Sequence, residues 1–384
     1  MNKAKFSDFN LDPLLLKSLT LCEFVELREI QEKTLGPLLK GRNLIGISQT
    51  GTGKSAAFAI PTLDYLLKNQ KKKIPFHTRV LVLCPTRELA SQIQDKFRFY
   101  SKAFSPKIAL LTGGAQKKKQ LQALERGVEI IIATPGRLID LIKAEKVFLE
   151  NTETLILDEA DKMLELGFRK DIEEIIELLK NRKQTILFSA TMDEGIRNLT
   201  KQFIESPVEV EQSGGITVPE NIQHVYYAIS HEDRFECLRS ILKRKSVQKA
   251  MIFVNTKKMA IDLSEELEKV GLKNSLLHGD LDQKNRDYAV RIFKKDKVRY
   301  LIATDVAARG IDFDDITMVI NYIIPSNAES YVHRVGRAGR GDFSARAISL
   351  IDLDFEKESS ALERIETLLQ QKIARDDNHR FSKN

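Results

Sequence analysis

One segment constrains the fold of this chain more than any other. A short apolar run, Asn43–Ile47, feeds Ser48-Gln49-Thr50-Gly51-Thr52-Gly53-Lys54-Ser55, and a helical stretch follows at once. Glycines let successive backbone N–H groups wrap a phosphate, and the helix N-terminus adds its partial positive charge. Lys54 would reach the β/γ-phosphates and Ser55 would ligate Mg²⁺. The general pattern begins with Gly where Ser48 stands here. A strand, a glycine-rich loop and a helix in this order are one step of a parallel sheet, so the rest of the chain must supply more strands with helices between them.

It does so twice. Runs rich in Ile, Leu and Val predict strands at Asn43–Ile47, Arg79–Cys84, Lys107–Leu111, Glu129–Ala133, Thr154–Leu157 and Gln184–Phe188. Helical periodicity lies between them, as at Glu88–Tyr100 and Phe168–Leu179. Pro207, Ser213-Gly214-Gly215 and Pro219 then interrupt the alternation, a composition suited to an interdomain linker. Beyond it, strands are expected at Gln223–Ile229, Lys249–Val254, Asn274–Leu277, Arg299–Ala303, Thr317–Tyr322 and Ala345–Ile351. The expected organisation is an α/β domain over 1–212, a linker over 213–222, a second α/β domain over 223–354, and a helix with a fraying polar tail over 355–384. A chain of 384 residues suits two domains, and 42% hydrophobic residues let each bury a core.

A net charge of +7 favours a polyanionic partner. Three widely spaced cysteines, Cys22, Cys84 and Cys237, offer neither a disulfide framework nor a paired metal knuckle, and six histidines without paired spacing argue against zinc. With no signal-like start and no long apolar run, the expectation is a soluble cytoplasmic protein.

The fifth strand candidate ends in Asp158-Glu159-Ala160-Asp161. Strand carboxyl ends meet at the ligand crevice of a parallel sheet, so one acid here can hold Mg²⁺ beside the phosphate loop while its neighbour orients a water. The same acids would also serve as the N-cap and first turn of a helix.

Together these motifs resemble the DEAD-box ATP-dependent RNA helicases, in particular their shorter bacterial members, over Phe6 to about Ile351. The resemblance extends through Pro85-Thr86-Arg87-Glu88-Leu89-Ala90, Gly113-Gly114, Thr134-Pro135-Gly136-Arg137 and Ser189-Ala190-Thr191 in the first half. In the second it covers Ile252–Thr256, Gln283 with Arg286, Ala303-Thr304-Asp305 through Ala308–Asp312, and His333-Arg334-Val335-Gly336-Arg337-Ala338-Gly339-Arg340. It implies two tandem RecA-like domains, each a mostly parallel sheet flanked by helices, with ATP and Mg²⁺ at their cleft and single-stranded or short duplex RNA across both.

The roles it implies fall on particular residues. ATP binding goes to Phe6, Gln31, Ser48 through Ser55 and Asp312. Catalysis goes to Lys54, Asp158, Glu159 and the arginine fingers Arg337 and Arg340, with Ser55 and Asp158 on the metal. RNA-backbone contacts go to Thr86, Arg87, Gly114, Thr134, Arg137, Arg286 and Thr304. Asp161, Ser189, Thr191 and His333 would couple hydrolysis to unwinding. A hydrophobic anchor is an equal reading for Phe6, and a lone packed histidine for His333. Where the family has Gly and then Pro-Thr before the glutamine, Glu23 and Leu27-Arg28 stand here. The lysine run Lys71–Lys73 with Lys68 reads as a solvated loop. The activity implied is local, largely sequence-independent unwinding of short RNA duplexes. An ATP-gated RNA clamp or assembly scaffold with incidental turnover is the competing reading, a DNA helicase a more distant one, and ribonucleoprotein or RNA-decay partners stay open.

Overall fold

The computed structural model describes residues 4–48, 52–114, 117–212, 218, 221–308, 311, 313, 315–338, 345–379 and 381. The chain divides into two compact units, residues 1–213 and 214–384.

In the first unit, seven parallel strands form one sheet: β1 (Leu44–Ile47), β2 (Val80–Leu83), β3 (Ile108–Leu111), β4 (Ile130–Ala133), β5 (Thr154–Leu157), β6 (Gln184–Ser189) and β7 (Val208–Glu211). Their spatial order is β3-β4-β2-β5-β6-β1-β7. Side chains alternate across the sheet with period two. Val80, Val82, Ile130, Ile132 and Ile156 enter one core, whereas Leu81, Leu83, Ile131, Leu155 and Leu157 enter the other. Two buried faces explain why these strands read as unbroken apolar runs.

The second unit contains β8 (Ile222–Ala228), β9 (Ala250–Val254), β10 (Asn274–Leu277), β11 (Tyr300–Thr304), β12 (Met318–Asn321), β13 (Ala345–Ile351) and β14 (Ala374–Arg375). Its order, β10-β11-β9-β12-β13-β8-β14, is that of the first sheet strand for strand. The chain therefore carries one topology twice, without a repeat visible in its sequence.

All twelve expected strands are present, within a residue at either end. The two edge strands were not expected. Residues 208–211, inside the stretch whose prolines and glycines break the alternation, pair with β1. Their alternation Val-Glu-Val-Glu suits an edge with one wet face.

The tail expected to fray instead docks. After the helix Glu356–Leu369, Ile373 is buried, β14 adds to β8, and Asp376 N–H donates to the Tyr226 carbonyl at 3.0 Å. Arg346 pairs with Asp376, and the His379 ring stacks on Tyr227 with centroids 4.1 Å apart. Among the described residues no helix is long and apolar enough to cross a membrane.

Candidate nucleotide and nucleic-acid site

Because all strands of the first sheet are parallel, the loops leaving their carboxyl ends line one edge. The strand order decides which loops are neighbours. On one half lie Ser48 after β1, Ser189 ending β6 and Asp158 after β5; on the other lie Pro85-Thr86 after β2, Thr134 after β4 and Gly113-Gly114 beyond β3. Phosphate-loop chemistry and backbone-binding chemistry thus share an edge on either side of the β5/β2 junction.

Lys54 opens the helix Lys54–Lys68 with its side chain turned back into the loop, where Nζ donates to the Ser48 carbonyl at 2.9 Å. It is buried at 6% exposure. Ser48, the departure from Gly, is integrated through its hydroxyl: Oγ lies 2.5 Å from Thr52 Oγ1 and donates to Gln212 Oε1 at 2.8 Å. Ser55, half-buried, follows Lys54 in the first helical turn. Gln49, Thr50 and Gly51 lie outside the described residues.

Gln31 reaches this loop from the neighbouring helix Glu29–Leu39. Its Oε1 accepts the Arg28 N–H at 3.0 Å and its Nε2 donates to the Gly53 carbonyl at 3.1 Å. Gly53 has a left-handed φ of 103°, and a Cβ there would stand 2.4 Å from Gln31 Nε2. The amide that the resemblance assigns to adenine is therefore engaged at both ends by backbone. Phe6 is 2% exposed and packs on Phe24 with centroids 5.4 Å apart, so its ring is an anchor of the first core in this conformation. Glu23 and Leu27-Arg28 have structural roles. Glu23 takes φ 54° at the end of the helix Pro13–Leu21, where Glu23 N donates to the Thr20 carbonyl and Phe24 N to the Leu19 carbonyl. Leu27 is buried, and Arg28 is the N-cap residue of the next helix.

Asp158 is 2% exposed and accepts the Glu159 N–H at 3.1 Å. Burial pushes its carboxyl up to about 7; Lys54 opposes the rise, while Glu159 and Asp161 add to it. An acid so short of compensation fits a site for a divalent cation, whose charge would restore the carboxylate. Glu159 sits at φ 52°, a left-handed conformation that costs a non-glycine residue about 1–2 kcal/mol. Such strain at the turn out of a strand is common at functional sites. Asp161 is 3% exposed, and neither carboxylate oxygen has a hydrogen-bond partner among the described residues. Ser189 is fully buried, with its carbonyl accepting Ser48 N–H at 2.9 Å and its Oγ facing Thr191 N at 3.4 Å.

On the other half, Thr86 caps the helix Arg87–Tyr100 by accepting Leu89 N–H. The Arg87 guanidinium lies against Gly113, where a Cβ would come within 2.7 Å of Nη2. Thr134 holds the N-cap position of the helix Pro135–Lys143, and Arg137 Nε donates to Gln120 Oε1 at 3.2 Å. Gln120 in turn donates to the Thr112 carbonyl, fixing the guanidinium beside β3. Hydroxyls, guanidinium groups and helix amino ends suit phosphate and sugar rather than base edges.

The second unit has no glycine in the turn after β8, Ile229-Ser230-His231-Glu232-Asp233, so it lacks a phosphate cradle at the corresponding position. It carries Thr304 at the end of β11 and Arg286 in the helix Gln283–Lys294, whose Nη2 donates to the Ala307 carbonyl at 2.8 Å. His333 and Arg337 line a shallow depression with Asp305 and Arg334, and Arg337 Nη1 donates to the Ile311 carbonyl at 3.0 Å. Asp312 and Arg340 lie outside the described residues.

Residues 28–199 match the DEAD/DEAH box helicase family model, and residues 233–342 match the helicase conserved C-terminal domain. The DEAD-box ATP-dependent RNA helicase RhpA of Helicobacter pylori is 39% identical over 351 residues, spanning 91% of this chain and 70% of the relative. CshA of Streptococcus pneumoniae, also a DEAD-box ATP-dependent RNA helicase, is 39% identical over 369 residues, spanning 96% and 69%. This chain belongs to the DEAD-box helicase family. Among solved structures, that of Saccharomyces cerevisiae Dbp5 bound to RNA and ADP BeF3 is 29% identical, covers 97% of this chain and 95% of that one, and gives a TM-score of 0.84. A DEAD box protein from Methanococcus jannaschii is 36% identical, covers 98% and 100%, and gives 0.55.

Arg334 lies in a DEAD-box motif legible in the sequence, but its role is not legible there. In the structure Arg334 is 1% exposed and gathers Asp305, Asn255, Asn321 and the Ile323 carbonyl. Its motif was legible; a hub joining residues up to 79 positions apart was not.

Proposed function

We propose that this chain is an ATP-dependent RNA helicase that hydrolyses ATP and locally unwinds short RNA duplexes with little regard to sequence. The observation that carries the reading is the shared carboxyl edge of the first sheet, with the phosphate loop and Asp158-Glu159 on one half and Thr86, Arg87, Gly113-Gly114, Thr134 and Arg137 on the other.

Lys54 exchanges its bond to the Ser48 carbonyl for the β/γ-phosphates, and the loop amides take the remaining oxygens. Ser55 and the under-compensated Asp158 are the residues that would hold Mg²⁺, which when bound neutralises phosphate charge. Glu159 orients the attacking water. Arg337 and Arg340 are the residues we assign to stabilising charge on the transferring phosphoryl group, a contribution worth roughly 10³ to 10⁵ in rate for such arginines. The RNA residues bind the backbone, which makes the affinity salt-dependent and sequence-tolerant. A stacked base-pair step holds about 1–2 kcal/mol, so one cycle would release a few pairs, and processive travel is not expected. Three cysteines so widely spaced in sequence support work in a reducing compartment, and we place the protein in the cytoplasm.

Steady-state ATP hydrolysis by the full chain, alone and with equal nucleotide concentrations of single-stranded RNA or DNA at fixed salt, tests the proposal. Strong stimulation by RNA alone is expected. Binding of RNA with ATP but flat hydrolysis would favour a clamp, and equal stimulation by DNA would overturn the substrate.

A further inference from the structure

The opposite end of the first sheet holds a second concentration of charge that the proposed activity does not use. The segments leading into β2, β4, β5 and β6 meet there around a cavity of about 300 Å³. That is the lower end of the range for small-molecule sites, about 300–1,000 Å³. Glu153, directly before β5, lies on its wall with 6% of its side chain exposed. Three cations converge on this one carboxylate: Lys71 Nζ at 2.6 Å, Arg79 Nε at 2.8 Å and Lys183 Nζ at 3.1 Å. Lys72 and Lys73 also line the cavity, and Glu129 is its other carboxylate, 3.7 Å from Lys73. Positive charge therefore exceeds negative charge within a concave surface, where the field is focused rather than dispersed.

Arg79 makes this more than a fringe of mobile lysines. Its side chain is 10% exposed, its guanidinium lies over the Tyr65 ring at 5.4 Å, and Nη1 donates to the Asn69 carbonyl at 2.7 Å. Its buried Nη2 is 2.8 Å from Glu153 and completes the ion pair. The result is a fixed, planar cation ringed by ammonium groups. Guanidinium and ammonium groups together are the usual donors to phosphate oxygens.

We propose that this cavity binds a compact small-molecule anion carrying a phosphate or diphosphate group. It is distinct from the phosphate loop. Glu153 and Asp158 flank the four residues of β5, and five steps of extended chain separate them by about 17 Å.

Calorimetric titration of the full chain with inorganic pyrophosphate tests the site, in a Lys54→Ala background that disables the phosphate loop. Binding at one site is expected, weakened at least about tenfold by Lys71→Ala with Lys183→Ala. Those side chains are 54% and 64% exposed, so the fold survives their loss, and unchanged circular dichroism verifies it. A second readout needs no variant: pyrophosphate should protect Lys71 and Lys183 from an amine-reactive label followed by mass spectrometry. Absence of binding at millimolar pyrophosphate, or equal affinity in the variant without protection of either lysine, overturns the proposal. Displacement of pyrophosphate by single-stranded RNA, with RNA affinity falling in the same lysine variants, also overturns it by assigning the lysines to RNA.

Discussion

Arg334 grips Asp305 through two parallel bonds, Nε to Oδ1 at 2.6 Å and Nη2 to Oδ2 at 2.8 Å. The same guanidinium donates to Asn321, the Ile323 carbonyl and Asn255, so it ties together the carboxyl ends of β9, β11 and β12. Arg334→Ala would leave Asp305 without its partner and the fully buried Asn321 short of one. Asp305 is 28% exposed, so water offsets part of the loss, and the cost is about 1–3 kcal/mol. Urea unfolding of the full chain should show an earlier transition for the second unit and an unchanged one for the first; coincident shifts of both would contradict a local role.

Gln31 links the helix Glu29–Leu39 to the phosphate loop through Gly53. Gln31→Ala removes that tether and leaves the Arg28 N–H without its acceptor. The KM for ATP should rise about tenfold, a loss of about 1.4 kcal/mol, with a much smaller change in kcat. Unchanged KM values for both ATP and GTP would show that the amide serves only the conformation of the loop.

Glu159→Gln keeps the size of the side chain and removes its charge. Hydrolysis should fall by about 10² or more, the scale of a lost water-positioning or general-base group, while ATP-dependent RNA binding persists. Lys54→Ala should instead abolish nucleotide binding. Normal turnover in the Glu159→Gln protein would remove the water-positioning role.

Glu153 gives a pH dependence remote from the reaction. Burial raises its pKa, but Lys71, Arg79 and Lys183 together outweigh that and hold it down at about 2, against an ordinary value of 4.5. A depressed carboxyl stabilises the fold fully above the unfolded value and loses that contribution as pH falls through the folded one. Its share, about 1–2 kcal/mol after screening of the exposed lysines, should vanish between pH 4.5 and about 2. Glu153→Gln should flatten acid unfolding curves in that window, and parallel curves for the two proteins would refute the assignment.

Glu23 ends the helix Pro13–Leu21 in the left-handed conformation, at φ 54°, where glycine carries no penalty. Its exposed side chain contributes little to offset the strain. Glu23→Gly should raise stability by up to about 1 kcal/mol, because relief of about 1–2 kcal/mol exceeds the entropic cost of glycine, about 0.5–1 kcal/mol. Thermal unfolding measures it, and a lower Tm would mean that the carboxylate has a role of its own.

The core strands were legible because each buries both faces, so their residues are apolar without interruption; β2 and β4 are the clearest cases. The edge strands β7 and β14 were not, since one is half polar and the other is two residues long. In the candidate site, Lys54, Ser55, Asp158 and Glu159 announce themselves by spacing along the chain. Gln212 on Ser48, Gln120 behind Arg137 and the hub at Arg334 do not, because each acts through a partner distant in sequence.

The amino-acid sequence alone determined that this chain would form two helix-covered parallel sheets, with a phosphate loop after the first strand and acids after the fifth, since apolar runs, glycines and charges at fixed spacing are local properties. Only the tertiary structure decided that both sheets share one strand order, that β5 and β2 stand side by side, and that the loops leaving them therefore face the same edge. It alone decided that three cations would crowd around Glu153 at the other end of β5. Strand order is set by which faces can be buried together across the whole unit, and no local stretch of sequence records that.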